Sequence, residues 1–445
     1  MSTAKHASFD FTVDRLGPCR IPSPLQLQKH LFVDEDERTL VDCDLRSLTP
    51  GAALDDVPSM ETAGPRSLIF HPHYLSRAAI VTCGGLCPGI NSVIKGIVET
   101  LHSEYGVREI YGIPYGYAGL ARPQDHPPRL LDPDGVDTIH MEGGSILGTS
   151  RGNQEAAILV QNLVNMRINM LFTIGGDGTL KGAQAIHQEA RRRNLEISIV
   201  GVPKTVDNDI QFVGRSFGFE TAVYQSTQVI TAAHMEARSI FNGLGIVKLM
   251  GRDSGFISAY ATLANPVVNF CLVPEYQVAL DGPNGLLKAI ERRFRKKSHA
   301  VITVAEGYGQ HLFSDLPAQR DASGNLLKHD IGVYLCERFK AHFQELGIPV
   351  GLKYFDPNYS IRSVSASGTD QILCHQLAEY AVHAAMSGRT NMVVGFRNGN
   401  FVNVPIPVAT HERQKIDVNG PIWKSVMACT GQAKYFDPSH QSRPE

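Results

Sequence analysis

The stretch Ala78-Ala79-Ile80-Val81-Thr82-Cys83-Gly84-Gly85-Leu86-Cys87-Pro88-Gly89-Ile90-Asn91 decides the fold. Five residues of buried-strand character run into a glycine turn, and a helical pattern follows through Val93-Ile94-Lys95-Gly96-Ile97-Val98. A turn of this kind leaves backbone N–H groups unpaired at a helix N-terminus, where phosphate is readily held. The scheme recurs at Asn169-Met170-Leu171-Phe172-Thr173-Ile174, followed by Gly175-Gly176-Asp177-Gly178-Thr179 and a helix to about Arg193. Ile197 to Gly201, Gly245 to Leu249, Asn269 to Val273 and Ala300 to Val304 are further short apolar strands. Helices fit Phe219 to Glu236, Gly332 to Glu345 and Asp370 to Met386. Apolar strands alternating with helices indicate an α/β fold with mainly parallel sheets flanked by helices. Met392 to Phe396 and Phe401 to Val404, joined by Arg397-Asn398-Gly399-Asn400, read as a hairpin with an Asn-Gly turn.

The repeating pattern fills 77–215 and again 243–362, with no low-complexity linker between. Two similar α/β domains, with the active site in a cleft between them, are expected. In such folds ligands bind outside the carboxyl ends of the strands, where the glycine loops fall. Residues 1–74, rich in Pro, Asp and Ser, read as an N-terminal arm of short elements packed on the body or on a neighbouring subunit.

At 445 residues, with 43% hydrophobic and 19% charged, the chain has the composition of a soluble globular protein with a large core. A formal net charge of -2 argues against nucleic acid as partner. The basic clusters Arg191-Arg192-Arg193 and Arg292 to Lys297 read as solvated helix ends. Eight cysteines occur without a CxxC pair, and are expected as free thiols in a reducing compartment. The segment Met1 to Leu16 has no signal-peptide core and no run of about 18 apolar residues occurs, so the expectation is cytoplasmic, with no membrane partner.

The chemistry concentrates in Pro203-Lys204-Thr205-Val206-Asp207-Asn208-Asp209. If the stretch is extended, Thr205, Asp207 and Asp209 share one face. Two carboxylates that close raise one another's pKa, which suits a general base. The alternative is local structure, since Asp-Asn-Asp favours turns and caps. In the second glycine loop, Asp177 is placed to share a cation with phosphates, and Mg²⁺ is usually held by one or two carboxylates plus phosphate oxygens. The alternative is a tight turn with Thr179 as N-cap. No GxxxxGK[ST] loop occurs, so a P-loop kinase is excluded. His234 reads as helix surface rather than a ligand.

In order, GGLCPGIN, GTSRG, GGDGT, PKTVDND, KLMGRDSG, AEGYG and DPNYSIR resemble the phosphofructokinase family, from Ala78 to about Asp417. The resemblance implies ATP-dependent phosphorylation of fructose 6-phosphate at its 1-hydroxyl, with Mg²⁺, in a homo-oligomer, tetramer favoured. It implies a phosphoryl-donor domain at 75–218 and 365–410, and a sugar-phosphate domain at 219–364 and 411–445. By position, Gly85, Gly176, Gly178 and Thr179 would line the donor site. Arg151 would touch the transferring phosphoryl group, and Asp177 would hold the metal. Asp207 would be the base, with Thr205 and Asp209 positioning the hydroxyl. Met250, Gly251 and Arg252 would hold the sugar-phosphate side and Glu306 the sugar hydroxyls. Tyr359 and Arg362 would grip the 6-phosphate.

Two positions depart from the short bacterial members. Gly243 stands where those carry an arginine for a neighbour's sugar phosphate, and Lys204 where they carry glycine. Lys204 resembles the pyrophosphate-dependent branch, and would hold terminal donor phosphates. That branch pairs it with aspartate in GGDD, whereas this chain has Gly178. GGDG with PKTVDND and a long arm resembles the plant and kinetoplastid group, which uses ATP. The alternatives are pyrophosphate as donor, or a catalytically silent regulatory subunit that binds sugar phosphate.

Overall fold

The computed structural model describes residues 9–28, 32–44, 57–317, 320 and 326–436. Parts of the expected arm, and residues 437–445 of the expected second domain, lie outside the described residues.

In chain order the strands of the two main sheets are β1 (Arg38–Leu40), β2 (Ser59–Thr62), β3 (Arg77–Thr82), β4 (Glu109–Ile113), β5 (Arg129–Leu130), β6 (Met170–Gly175), β7 (Ser198–Pro203), β8 (Gly243–Leu249), β9 (Phe270–Leu272), β10 (His299–Ala305), β11 (Gly351–Phe355), β12 (Met392–Arg397) and β13 (Asn400–Pro405). The helices that bear on the site are α1 (Ile90–Glu99), α2 (Asp177–Arg192), α3 (Phe219–Arg238), α4 (Ile331–Glu345), α5 (Asn358–Arg362) and α6 (Gly368–Met386).

The chain divides into two compact units. One holds the residues up to Gly218 together with Ser363–Arg413; the other runs from Phe219 to Arg362 and resumes at Gln414. The family resemblance implies joints at 218, 364 and 410.

The sheet of the first unit has nine strands, ordered β1-β2-β13-β12-β7-β6-β3-β4-β5. Strands β12, β7, β6, β3 and β4 run parallel. Their side chains alternate between two cores. Ile80, Phe172, Val200 and Met392 enter one with residues of α1 and α6. Val81, Leu171, Ile199 and Val393 enter the other with residues of α2. Covering both faces explains why these strands read as unbroken apolar runs rather than alternating ones.

The sequence places a glycine where α1 starts for a steric reason. Gly89 sits at φ +101°, and a Cβ there would lie 2.5 Å from Cys374 Sγ. The hairpin β12–β13 turns through Asn398 and Gly399, both at positive φ, as the Asn-Gly pair requires.

The described residues of the N-terminal segment belong to the first unit. Strand β2 pairs with β13 and β1 with β2, so the segment lengthens the sheet at the hairpin edge. Buried Glu61 on β2 fixes this edge. It meets Arg389 at 2.7 Å, Arg15 at 2.8 Å and Arg66 at 3.4 Å, and accepts from Asn403 Nδ2 at 2.7 Å.

The second unit holds a four-stranded parallel sheet, ordered β9-β10-β8-β11. One face packs Leu244, Ile246, Ile302 and Val304 against Ile331, Leu335 and Phe339 of α4. All eight cysteines lie among the described residues and carry thiols. Among the described residues no helix is long and apolar enough to cross a membrane.

Candidate active site

Chain order reverses at β3, with β4 on one side and β6 then β7 on the other. The carboxyl end of such a switch point is where ligands bind in open α/β sheets. Three loops converge there. Cys83 bridges to Ser150, and Gly84 N donates to Ser150 O at 2.9 Å, so Gly148 to Arg151 runs beside the first glycine loop. Lys204 N donates to Gly175 O at 2.9 Å, which sets the end of β7 beside the second glycine loop. The buried Lys204 side chain then reaches across, its Nζ donating to Gly85 O at 2.6 Å. Gly85, Arg151, Gly176, Asp177, Gly178, Thr179 and Lys204 therefore gather around one end of the sheet.

Gly176, not Thr179, is the N-cap of α2. Its carbonyl accepts from Thr179 N and Leu180 N at 2.9 and 3.0 Å, and Thr179 is buried inside the first turn. Asp177 opens the helix, where the dipole favours an anion, and pairs with Lys181 at 3.0 Å. Gly178 is exposed, and a Cβ there would meet nothing within 4 Å. Among the described residues no group of three or more His, Cys, Asp or Glu could hold a metal. A cation at Asp177 would complete its shell from phosphate oxygens and water, a donor set that fits Mg²⁺.

The stretch Thr205 to Asp209 is a turn, not the extended segment that alternation suggested. Asn208 adopts φ +52° and is buried. Its side chain accepts from Ser216 N at 2.8 Å and donates to Gly214 O at 3.2 Å, so it organises the loop from within. Asn tolerates this conformation and bonds nearby backbone, and those preferences override strand alternation. The turn still brings the expected groups together. Thr205 Oγ1 donates to Asp209 Oδ1 at 2.9 Å and accepts from Asp207 N at 3.2 Å.

Asp209 is buried, and burial pushes its carboxyl up; the Arg413 charge and the Thr205 hydroxyl oppose this, while the Asp177 charge adds to it. Arg413 Nη1 sits 3.0 Å from Asp209 Oδ2. Nothing in the sequence marks Arg413, since no local pattern singles out a residue 204 positions from its partner.

The remaining candidates belong to the second unit. Gly251 follows β8 at φ +128°, where a Cβ would lie 2.4 Å from Ser254 O. Leu249 O and Gly251 O accept from Glu306 N and Gly307 N at 2.9 and 3.0 Å, placing Met250, Gly251 and Arg252 beside Glu306. Burial pushes the Glu306 carboxyl up, against the charges of Arg252, Lys248, Arg362 and Lys328. Arg252 and Arg362 beside a carboxylate can receive a phosphate ester with hydroxyl groups, whereas Lys248 and Lys328 are themselves paired with other carboxylates. Arg252 donates to Leu326 O, and Lys328 pairs with Asp253 at 3.2 Å. The Arg362 guanidinium lies 4.8 Å over the Tyr359 ring, and Tyr359 is exposed rather than core. Lys248 and Lys328 were not among the expected residues. A lysine within the buried run of β8 was the signal for the first. His234 packs its ring 5.2 Å from that of His299, the first residue of β10, at the strand end opposite Glu306.

Comparison with known proteins gives the chain's family. The family model described as Phosphofructokinase matches residues 77–385. An ATP-dependent 6-phosphofructokinase of Borreliella burgdorferi is 46% identical, over 97% of this chain and 99% of its own. A protein of the same name from Amycolatopsis methanolica is 42% identical, over 96% of each chain. Among solved structures, a pyrophosphate-dependent phosphofructokinase from Marinobacter aquaeolei superimposes with a TM-score of 0.65 at 20% identity, over 79% of this chain and 91% of its own. That level of identity speaks for the fold alone. With the strand order, the switch-point loops and a match over most of its length, the chain belongs to the phosphofructokinase family.

Proposed function

We propose that this chain transfers the γ-phosphoryl group of ATP to the 1-hydroxyl of fructose 6-phosphate, giving fructose 1,6-bisphosphate. The observation that carries the reading is the turn from Thr205 to Asp209, which sets two carboxylates and a hydroxyl beside two glycine loops at one sheet end. Relatives matched along nearly their whole length carry the name ATP-dependent 6-phosphofructokinase.

In this reading Asp207 accepts the proton of the 1-hydroxyl as that oxygen attacks phosphorus. The Thr205–Asp209 hydrogen bond fixes the hydroxyl that aligns the sugar, and Arg413 holds Asp209. Exposed Arg151 meets the charge that develops on the transferring group. Gly85, Gly176, Gly178, Thr179 and Lys204 receive the donor. Asp177 would hold Mg²⁺, which neutralises charge across the donor phosphates. Met250, Gly251, Arg252, Glu306, Tyr359 and Arg362 take the sugar phosphate.

Gly178 favours ATP, since its open surroundings leave room beyond the terminal phosphates. Lys204, reaching into the first glycine loop, favours pyrophosphate as the second reading. We place the enzyme in the cytoplasm as a homo-oligomer, a tetramer favoured by the family resemblance. The test is product analysis by phosphorus NMR. Purified chain with ATP, Mg²⁺ and fructose 6-phosphate should give phosphate esters at both C1 and C6. A mixture that yields only ADP and inorganic phosphate, or no change, contradicts the proposal.

A further inference from the structure

Lys248 is a buried charge in a strand whose every residue is buried. An ammonium removed from water is tolerated only where opposite charges replace its hydration. Two carboxylates do so here. Lys248 Nζ lies 2.6 Å from Asp330 Oδ2 and 2.8 Å from Asp356 Oδ2. Both carboxylates are joints of the unit. Asp330 is the N-cap of α4, its Oδ1 accepting from Gly332 N at 3.0 Å and Val333 N at 3.1 Å, and from Tyr354 OH at 2.9 Å. Asp356 follows β11, and its Oδ1 accepts from Asn358 N at 3.3 Å at the start of α5.

Helix α5 has five residues, too few to hold itself by its own hydrogen bonds. It carries Tyr359 and Arg362, and Tyr359 is 79% exposed. We infer that Lys248 is a positioning residue for the sugar phosphate: through Asp356 and Asp330 it fixes the segment that presents Tyr359 and Arg362, and so sets affinity for the phosphorylated sugar. Its ammonium is engaged by these carboxylates and does not serve as a phosphate ligand. The Lys248 charge also acts on the Glu306 carboxyl, opposing the effect of its burial. The inference rests on the proposed function and adds a residue to it.

The experiment compares wild type with Lys248→Met, Asp356→Asn, Arg362→Ala and the Lys248→Met/Arg362→Ala pair. Wild type is assayed first; absence of bisphosphate would reject the functional reading itself and, with it, this inference. With wild type active, Lys248→Met should raise the KM for fructose 6-phosphate about tenfold or more, because small misplacement of a clamp is costly. The KM for ATP and kcat should stay within about twofold. Asp356→Asn, approaching the link from its other end, should show the same split and serves if the lysine variant fails to fold. In the Arg362→Ala background, Lys248→Met should add less than about twofold, since the clamp it positions is already gone. An unchanged KM for the sugar phosphate, equal losses for both substrates, or full multiplicative effects in the double variant would overturn the inference.

Discussion

Asp207 is held by its own backbone, whose N–H donates to Thr205 Oγ1 at 3.2 Å, so an amide in its place keeps the turn. Asp207→Asn should lower kcat by at least about 10²-fold with the KM for fructose 6-phosphate changed by less than about threefold. Steady-state kinetics decide this, and a kcat within about threefold of wild type removes Asp207 from the role of base. Gly178 makes the opposite kind of test, since it is exposed and has room for a side chain. Gly178→Asp should fold and melt like wild type. A second carboxylate beside Asp177 should repel the inner phosphates of ATP and cut its kcat/KM by about 10²-fold or more, leaving or raising weak pyrophosphate use. Undiminished ATP use by that variant contradicts the donor argument. At this scale the glycine loops, Asp177 and Asp207 were legible, because each lies in a local pattern that only certain residue types satisfy. Arg413 and Lys328 were not, because partners distant in sequence or sitting in a loop leave no periodic trace. Thr205 and Asp209 were found for a partly wrong reason: they meet through a turn organised by Asn208, not through strand alternation.

The hairpin edge of the first unit shows what elements add. Strands β1 and β2 span three and four residues and carry no periodic pattern, so the sequence marked only an irregular arm. Their place depends on Glu61 meeting three arginines and Asn403 once the chain has returned. Burial would raise the Glu61 carboxyl, but the Arg389 charge and hydrogen bond, with Asn403 and Arg15, bring it down to about 2 from an ordinary 4.5. A carboxyl depressed in the folded state stabilises above its unfolded value, and that stabilisation is lost as pH falls through the folded value. Glu61→Gln should therefore destabilise at neutral pH, by about 3 kcal/mol, the usual cost of leaving buried cations without their partner. The gap in melting temperature between wild type and variant should be full at pH 6 to 7, as the depressed carboxyl implies, and should close between about pH 4.5 and 2. A gap that does not change over that window, or no gap at neutral pH, contradicts this account of the edge. The β12–β13 hairpin was legible by contrast, since Asn398-Gly399 specifies its turn locally.

For the whole molecule, the alternation of apolar strands and helices was enough to give an α/β chain with parallel sheets, and two compact units carry those sheets. Where the chain passes from one unit to the other is set by long-range contacts and fell a few residues from the expected joints at 364 and 410. This molecule is an ATP-dependent kinase of fructose 6-phosphate despite a lysine at position 204. The donor choice is read from kcat/KM for ATP and for pyrophosphate, taken side by side at matched Mg²⁺ and saturating fructose 6-phosphate. Fructose 1,6-bisphosphate should form from ATP with a preference of at least about 10²-fold over pyrophosphate. Equal use of the two donors, or a preference for pyrophosphate, would contradict it.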